Sequence, residues 1–508
     1  MRMNFSVTNR TLLAIAIAAW VAGTPAAARA DVKLNSLFSD GAVLQQGVAV
    51  PVWGTAKDGE QVTVKLQEQT VTTTAKDGRW LVRLKPLQPG GPLTLTAAGE
   101  SNSVVISNVL VGEGWLCSGQ SNMAFQLALA ANATEALADA RDPQLRLFTV
   151  RYNPTDTPDT NARGRWAESS REAAANFSAV AWFFGHELRK ALRVPVGLIN
   201  SSVGGTPAEA WTSHATLEGD PKLRGVLDRY ADSIQKYDPA AATARQKRAL
   251  EEHEAAVAKA KAAGEKPPRA PNPPVDPRHG SSRPSCLYNG MIAPLQPYAI
   301  AGAIWYQGES NAGHATEYRE LFPAMIRDWR QAWGQGEFPF LFVQIAPHQA
   351  MPPEIREAQL LSWQRVPRTA MAVITDVGNE TDIHPTQKEP VGARLALAAR
   401  AIAYGETIPY SGPVYDSMKV EGNRAVLSFT HVGNGLVAKG GDLKGFAIAG
   451  ENGHFTSATA TIEGDKVVVS NPAVAKPVAV RYGWANTPDV NLFNKEGLPA
   501  TPFRTDVK

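Results

Sequence analysis

Residues 109–123 read VLVGEGWLCSGQSNM: an apolar run closes on Gly119 and Gln120, and a helix-like stretch opens at Ser121. Strand, tight turn, helix is the unit from which parallel α/β sheets are built. Downstream, SNMAFQLALAANATEALADA (121–140) and FSAVAWFFGHELRKAL (177–192) carry helical periodicity, and VPVGLINSSVGG (194–205) is the next strand with its turn. The alternation resumes in IAGAIWYQGES (300–310), YRELFPAMIRDWRQAWG (318–334), FPFLFVQIAP (338–347) and TAMAVITDV (369–377), and ends on KEPVGARLALAARAIAYG (388–405). The fold class expected is therefore α/β with a parallel sheet, in two parts, 108–230 and 284–405.

Working outward, residues 239–263 between those parts are rich in Ala, Lys, Arg and Glu and predict an exposed helix. Seven prolines over 264–284 predict extended loop, so 231–283 is read as an insertion. On the N-terminal side, 31–107 holds short alternating strands (VTVKLQ, TVTTTA, WLVRL, LTLTAAG) separated by Lys57-Asp58-Gly59-Glu60, Lys76-Asp77-Gly78 and Pro89-Gly90-Gly91-Pro92, the pattern of a small β-sandwich. After about residue 406 the chain returns to β texture (AVLSFTHVG, ATATIEGDKVVVS, PVAVRYGWA), predicting a C-terminal β region over 406–508.

The chain has 508 residues, 44% hydrophobic and 19% charged, which excludes general disorder and allows several cored domains. Its 51 basic and 48 acidic residues include three arginines, and no acid, within 1–30. Those thirty residues read as a targeting segment: Arg2 and Arg10, an apolar stretch at 11–22, and Ala28-Arg29-Ala30 as a cleavage site. An uncleaved anchor is the other reading, but the apolar run is short for a membrane span. Cleavage near Ala30 predicts an exported protein, periplasmic or secreted, with balanced charge, which gives no electrostatic reason to bind nucleic acid or anionic membrane. Its oligomeric state is left open. Cys117 and Cys286 stand outside any C-x-x-C pair, which argues against zinc and thioredoxin-like chemistry; in an oxidising compartment they are either one disulfide or two buried thiols.

Four short motifs fall at strand ends, where ligands bind in open α/β sheets. Ser121, in Gly119-Gln120-Ser121-Asn122-Met123, opens a helix and is either a nucleophile or a cap. Gly204 and Gly205 follow the 194–202 strand, where a bare backbone can approach a ligand or simply turn. Asn311, in Trp305-Tyr306-Gln307-Gly308-Glu309-Ser310-Asn311, offers an amide to developing negative charge. His384, in Asp382-Ile383-His384-Pro385, can take a serine's proton, with a carboxylate two residues away to orient the ring. Each motif is ambiguous alone; their order of serine, glycine, asparagine and histidine is far more specific.

Together WLCSGQSNM, YNGMIAPL, WYQGESN and DIHP make residues 108–230 and 284–405 resemble the SGNH hydrolases, in their sialate O-acetylesterase branch. VRYGWANTPDVNLFNKEGLPATPF extends the resemblance to nearly all of the mature chain. The resemblance implies a three-layer α/β/α core and removal of O-acetyl groups from an acetylated sugar, without a cofactor or metal. It makes Ser121 the nucleophile and an oxyanion donor, Gly205 and Asn311 further donors, and His384 the base. Gln120, Trp305, Gln307 and Glu309 are the candidates for contact with substrate. One departure stands out: the family's acid commonly lies three residues before the histidine, here Thr381, whereas Asp382 is two before. Asp376, Glu309 or a backbone carbonyl are the alternatives to Asp382.

The sugar is open between sialic acid and plant cell-wall xylan. A sialate carboxylate calls for an arginine, with Arg163, Arg165, Arg283 and Arg394 as candidates, and Trp115, Trp211 or Trp305 could stack on a ring. Two other classes compete: a glycosidase working through Glu309, and a sugar-binding protein without activity.

Overall fold

In parallel strands covered on both faces, every residue is buried, so the strands are continuously apolar and successive side chains feed opposite layers. The computed structural model, which describes residues 31–268 and 270–506, has this arrangement; the targeting segment expected over 1–30 lies outside the described residues. The core strands are β1 (Ser103–Gly119), β2 (Asp142–Thr149), β3 (Trp166–Ser169), β4 (Val196–Ser202), β5 (Gly302–Tyr306), β6 (Phe340–Val343) and β7 (Thr369–Ala372). They lie in the order β3-β2-β4-β1-β5-β6-β7, parallel throughout except for β3 at the edge.

The main helices are α1 (Ser121–Ala124), α2 (Ala179–Leu192), α3 (Ala315–Trp333), α4 (Pro353–Arg365) and α5 (Glu389–Ile402). Ile304, Tyr306, Leu341 and Val343 pack with α2 and α5 in one apolar cluster. Their neighbours Ala303, Trp305, Phe340 and Phe342 pack with α3 and α4 in the other. The result is the expected α/β/α sandwich.

Three features differ from the sequence reading. The boundary placed at 107/108 falls inside β1, which runs unbroken for 17 residues. Its first half pairs with strands Val43–Gln45 and Gly90–Ala98 of the N-terminal β region, and its second half is the centre of the core sheet. Second, the helix read over 121–140 is broken after Ala124. Phe125 turns to an extended conformation and its carbonyl accepts from Ala179, while Leu127 N–H donates to Phe177 O. Lateral backbone bonds thus replace helical ones. Third, the insertion boundary placed at 230/231 falls inside a helix, Arg224–Gln235, which Arg229 ties to α3 through Glu317 (2.8 and 2.5 Å); the helix that follows, Pro239–Ala262, is mostly exposed, as composition suggested.

The C-terminal region is all β over its own apolar core, with four-stranded sheets built on Arg424–Thr430 and Phe446–Ala449. It clasps the α/β core through Arg504 on Glu357 (2.7 and 3.1 Å) and through Asn486, which donates to Gln349 O (2.6 Å). Among the described residues no helix is long and apolar enough to cross a membrane.

Candidate active site

Gly119 pairs with Ser202 of β4 and with Tyr306 of β5, so three core strands end at one level. At that level the chain must turn sharply beneath a neighbouring strand. Gly119 does so at φ +141°, and a Cβ there would stand 2.2 Å from Tyr306 O, so no side chain fits. Gln120 N–H then donates to Tyr306 O (2.9 Å) and Val203 N–H to Gly119 O (3.1 Å), which fixes the turn from both sides. Ser121 emerges at the edge of the sheet. The 203–206 turn lies against it: a Cβ on Gly204 would be 3.4 Å from Ser121 Cβ. Gly205 has φ +70° with open space where a side chain would point.

His384 approaches from the loop before α5, and its Nε2 lies 2.8 Å from Ser121 Oγ. A hydroxyl hydrogen-bonded to an imidazole nitrogen can lose its proton as it attacks a carbonyl. Asp382 serves the loop differently from expectation. Its Oδ1 accepts the backbone N–H of His384 at 2.9 Å, while the distance from Oδ1 to His384 Nδ1 is 3.8 Å. That is an ion-pair distance, beyond hydrogen bonding. A spacing of two suits this side-chain-to-backbone turn, which holds the carboxylate on the main chain. Both alternative acids are engaged: Asp376 is gripped by Arg394 (2.7 and 2.7 Å), and Glu309 Oε1 accepts from Asn122 Nδ2 (2.7 Å).

Asn311 is buried and its amide orientation is chemically fixed. Oδ1 accepts from Ala208 N–H (2.9 Å) and Gln307 Nε2 (2.6 Å), and Nδ2 donates to Glu209 Oε2 (2.8 Å). A carboxylate can only accept, so the NH₂ group must face Glu209, leaving its second hydrogen for a ligand. Burial pushes the Glu209 carboxyl up, and the bond from Asn311 opposes that shift. Ser310 N–H donates to Gln120 Oε1 (3.3 Å), which docks this turn beside the one that carries Ser121. Serine and histidine thus meet directly, with the 203–206 turn against the serine and the 308–311 turn docked beside it through Gln120.

The four residues expected to touch substrate are instead buried supports. Trp305 and Gln307 are fully buried in or just after β5, Gln120 binds the 308–311 turn, and Glu309 faces Asn122. Tyr318 Oη donates to Gln307 Oε1 (3.0 Å), completing the cradle behind Asn311. A strand covered by helices on both faces leaves its aromatics no route to solvent, so Trp115 and Trp305 are core residues; Trp211, in the short 3-10 turn Ala208–Trp211, is buried as well. Glu309 is likewise unsuited to a glycosidase, whose paired carboxylates must flank the sugar.

The disulfide option is also corrected: Cys117 and Cys286 are both free and buried. Cys117 packs in the cluster formed with α2 and α5, and Cys286 in the one formed with α3 and α4. The sheet lies between them. Glu209 and Lys388 lie outside every motif singled out in the sequence, and Asn122, although it stands beside Ser121 in its motif, carries no sequence signal of its role. Among the described residues no group of three His, Cys, Asp or Glu side chains could hold a metal ion.

The chain is similar to known proteins over most of its length. The profile of the carbohydrate esterase, sialic acid-specific acetylesterase family matches residues 280–401. The chain is 31% identical to the sialate O-acetylesterase of Rattus norvegicus over 506 residues, covering 89% of this chain and 90% of that one. It is 30% identical to the Homo sapiens sialate O-acetylesterase, with 93% and 92% covered. The crystal structure of a carbohydrate acetylesterase from Xanthomonas citri superposes with a TM-score of 0.80 at 39% identity, covering 94% of this chain and 100% of that one. Similarity of this extent leaves no large region unmatched, and the chain belongs to the sialate O-acetylesterase family.

Proposed function

We propose that the protein is a serine esterase that removes O-acetyl groups from sugars, with Ser121 as nucleophile and His384 as general base. The 2.8 Å approach of His384 Nε2 to Ser121 Oγ carries this reading. Ser121 Oγ attacks the acetyl carbonyl as its proton passes to His384. The N–H groups of Ser121 and Gly205 and the Asn311 amide receive the oxyanion. The C–O bond to the sugar then breaks, and His384 returns the proton to the leaving sugar oxygen. Water, deprotonated by His384, attacks the acetyl-serine, and acetate leaves as Ser121 recovers its proton.

Asn311→Ala is expected to lower kcat about 10²–10³-fold, the usual cost of one oxyanion donor. Steady-state acetate release measures this, and full kcat in the variant would remove Asn311 from the hole.

A neutral sugar is the second reading. Arg163, Arg283 and Arg394 already pair with Asp159, Asp156 and Asp376, so their charge is committed away from a sialate carboxylate. Arg165 is exposed on the irregular segment before β3. Acetate release from 9-O-acetyl sialic acid and from acetylated xylan, side by side, decides between the readings; release from neither would overturn the esterase itself. Action after export, in the periplasm, is part of the proposal and rests on the composition of residues 1–30.

A further inference from the structure

Behind the catalytic residues lies a buried polar cluster that the mechanism above does not use. Lys388, fully buried at the start of α5, donates from Nζ to Asn122 Oδ1 at 2.5 Å. Asn122, itself fully buried, donates from Nδ2 to Glu309 Oε1 (2.7 Å) and to the carbonyl of Ile383 (3.0 Å). These partners dictate the amide's orientation. An ammonium only donates and a carbonyl only accepts, so the oxygen must face Lys388 and the NH₂ group must face the loop.

The connections span the whole site. Asn122 follows Ser121, Ile383 precedes His384, and Glu309 lies two residues before Asn311. The 379–388 loop is otherwise irregular, with Asn379 Oδ1 accepting from the N–H groups of Thr381 and Asp382 within it. The bond from Asn122 to Ile383 ties that loop to the helix bearing the serine. Lys388 also sits over the rings of Phe125 (4.9 Å) and Tyr306 (5.4 Å), which hold its charge where bulk water does not reach. Burial pushes its pKa down to about 7, with Glu309 and Asp382 opposing that shift.

We propose that Asn122, its amide oriented by Lys388, is a positioning residue that sets the register of His384 against Ser121 and the oxyanion turn. The proposal rests on the Ser121–His384 reading. Holding two groups to reacting distance is worth about 10²-fold in rate per ångström of misplacement. The expectation is therefore a loss in kcat with KM preserved.

The test uses the whole protein and the variants Asn122→Ala, Asn122→Asp, Lys388→Met and Asn122→Ala/Lys388→Met, with Ser121→Ala alongside. Acetate release and the rate of Ser121 labelling by a fluorophosphonate are both measured. Asn122→Asp keeps the size of the side chain and the acceptor for Lys388 but loses both donated bonds. Each single variant is expected to lower kcat and the labelling rate together by about 30- to 100-fold, with KM within about threefold. The double variant is expected to fall within about threefold of the worse single one, because both act through one amide.

Wild-type kcat in folded Asn122→Asp would overturn the proposal, as would a loss confined to KM or losses that multiply in the double variant. Collapse of both Asn122 variants to insoluble protein would overturn it too, by making the cluster an element of folding. An active Ser121→Ala enzyme would instead sink the serine reading on which the proposal rests.

Discussion

Ser121→Ala is expected to lower kcat for acetate release by about 10⁵–10⁶-fold while leaving the fold intact. The magnitude follows from what the substitution removes and what it leaves. It deletes the oxygen that must bond to the acetyl carbon, and no step of the mechanism bypasses that bond. The backbone N–H of residue 121, the Gly205 turn and the Asn311 amide stay in place, so a water molecule can still use the oxyanion donors and a trace of hydrolysis survives. The cost to stability is small. Ser121 is half-buried, and its hydroxyl bonds to a partly exposed histidine, a contact worth about 1 kcal/mol. Melting temperature and far-UV circular dichroism should therefore match wild type. Mass spectrometry of wild type quenched during turnover should find an acetyl group on the peptide containing Ser121. A kcat within about tenfold of wild type would eliminate Ser121 as nucleophile, since an enzyme that has lost the attacking oxygen cannot form the acetyl-serine.

The core sheet was legible because burial on both faces makes a strand's composition distinctive. VLVGEGWLC, AGAIWY and FPFLFV admit almost no charge, and all three are central strands. The same logic explains the misplaced boundary. The first half of β1, SVVISN, alternates exposed and buried because one face meets solvent, and the second half is buried throughout. The change in texture at Asn108 marks a change of surroundings within one strand, not its end. Residues 121–140 misled in the opposite way: their helical periodicity is real, yet Phe177 and Ala179, fifty or more residues ahead of their partners, take up the backbone groups that a helix would use.

The site divides along the same line. Ser121, Gly205 and Asn311 are read from position, because each lies within five residues of a strand end, and His384 is read from the loop between the last core strand and the last core helix. Their supports are not. Glu209 matters because Asn311 points at it, and Lys388 because Asn122 does; both relations exist only once distant segments are packed together. Cys117 and Cys286 are the converse case, a pairing that sequence permits and the intervening sheet forbids.

His384→Ala should be as damaging as loss of the serine, about 10⁵–10⁶-fold in kcat, whereas Asp382→Asn should cost no more than about tenfold. An acid bonded directly to the imidazole contributes about 10⁴-fold, because it fixes the tautomer and stabilises the imidazolium as it forms. Asp382 is placed for neither task. Its carboxylate is 58% exposed, lies 3.8 Å from Nδ1, and spends its Oδ1 on the backbone N–H of His384. At that distance and exposure, the attraction to a transient imidazolium amounts to about 1 kcal/mol or less and is screened by salt. The asparagine variant keeps an oxygen for the turn, so it isolates this electrostatic part, and its deficit should shrink as ionic strength rises. Asp382→Ala removes the turn as well and should be the worse of the two, the gap between them measuring how far the side chain holds the loop. A loss of about 10³-fold or more in Asp382→Asn would mean that the carboxylate closes onto Nδ1 during turnover, and that the spacing of two residues is no obstacle to a full triad.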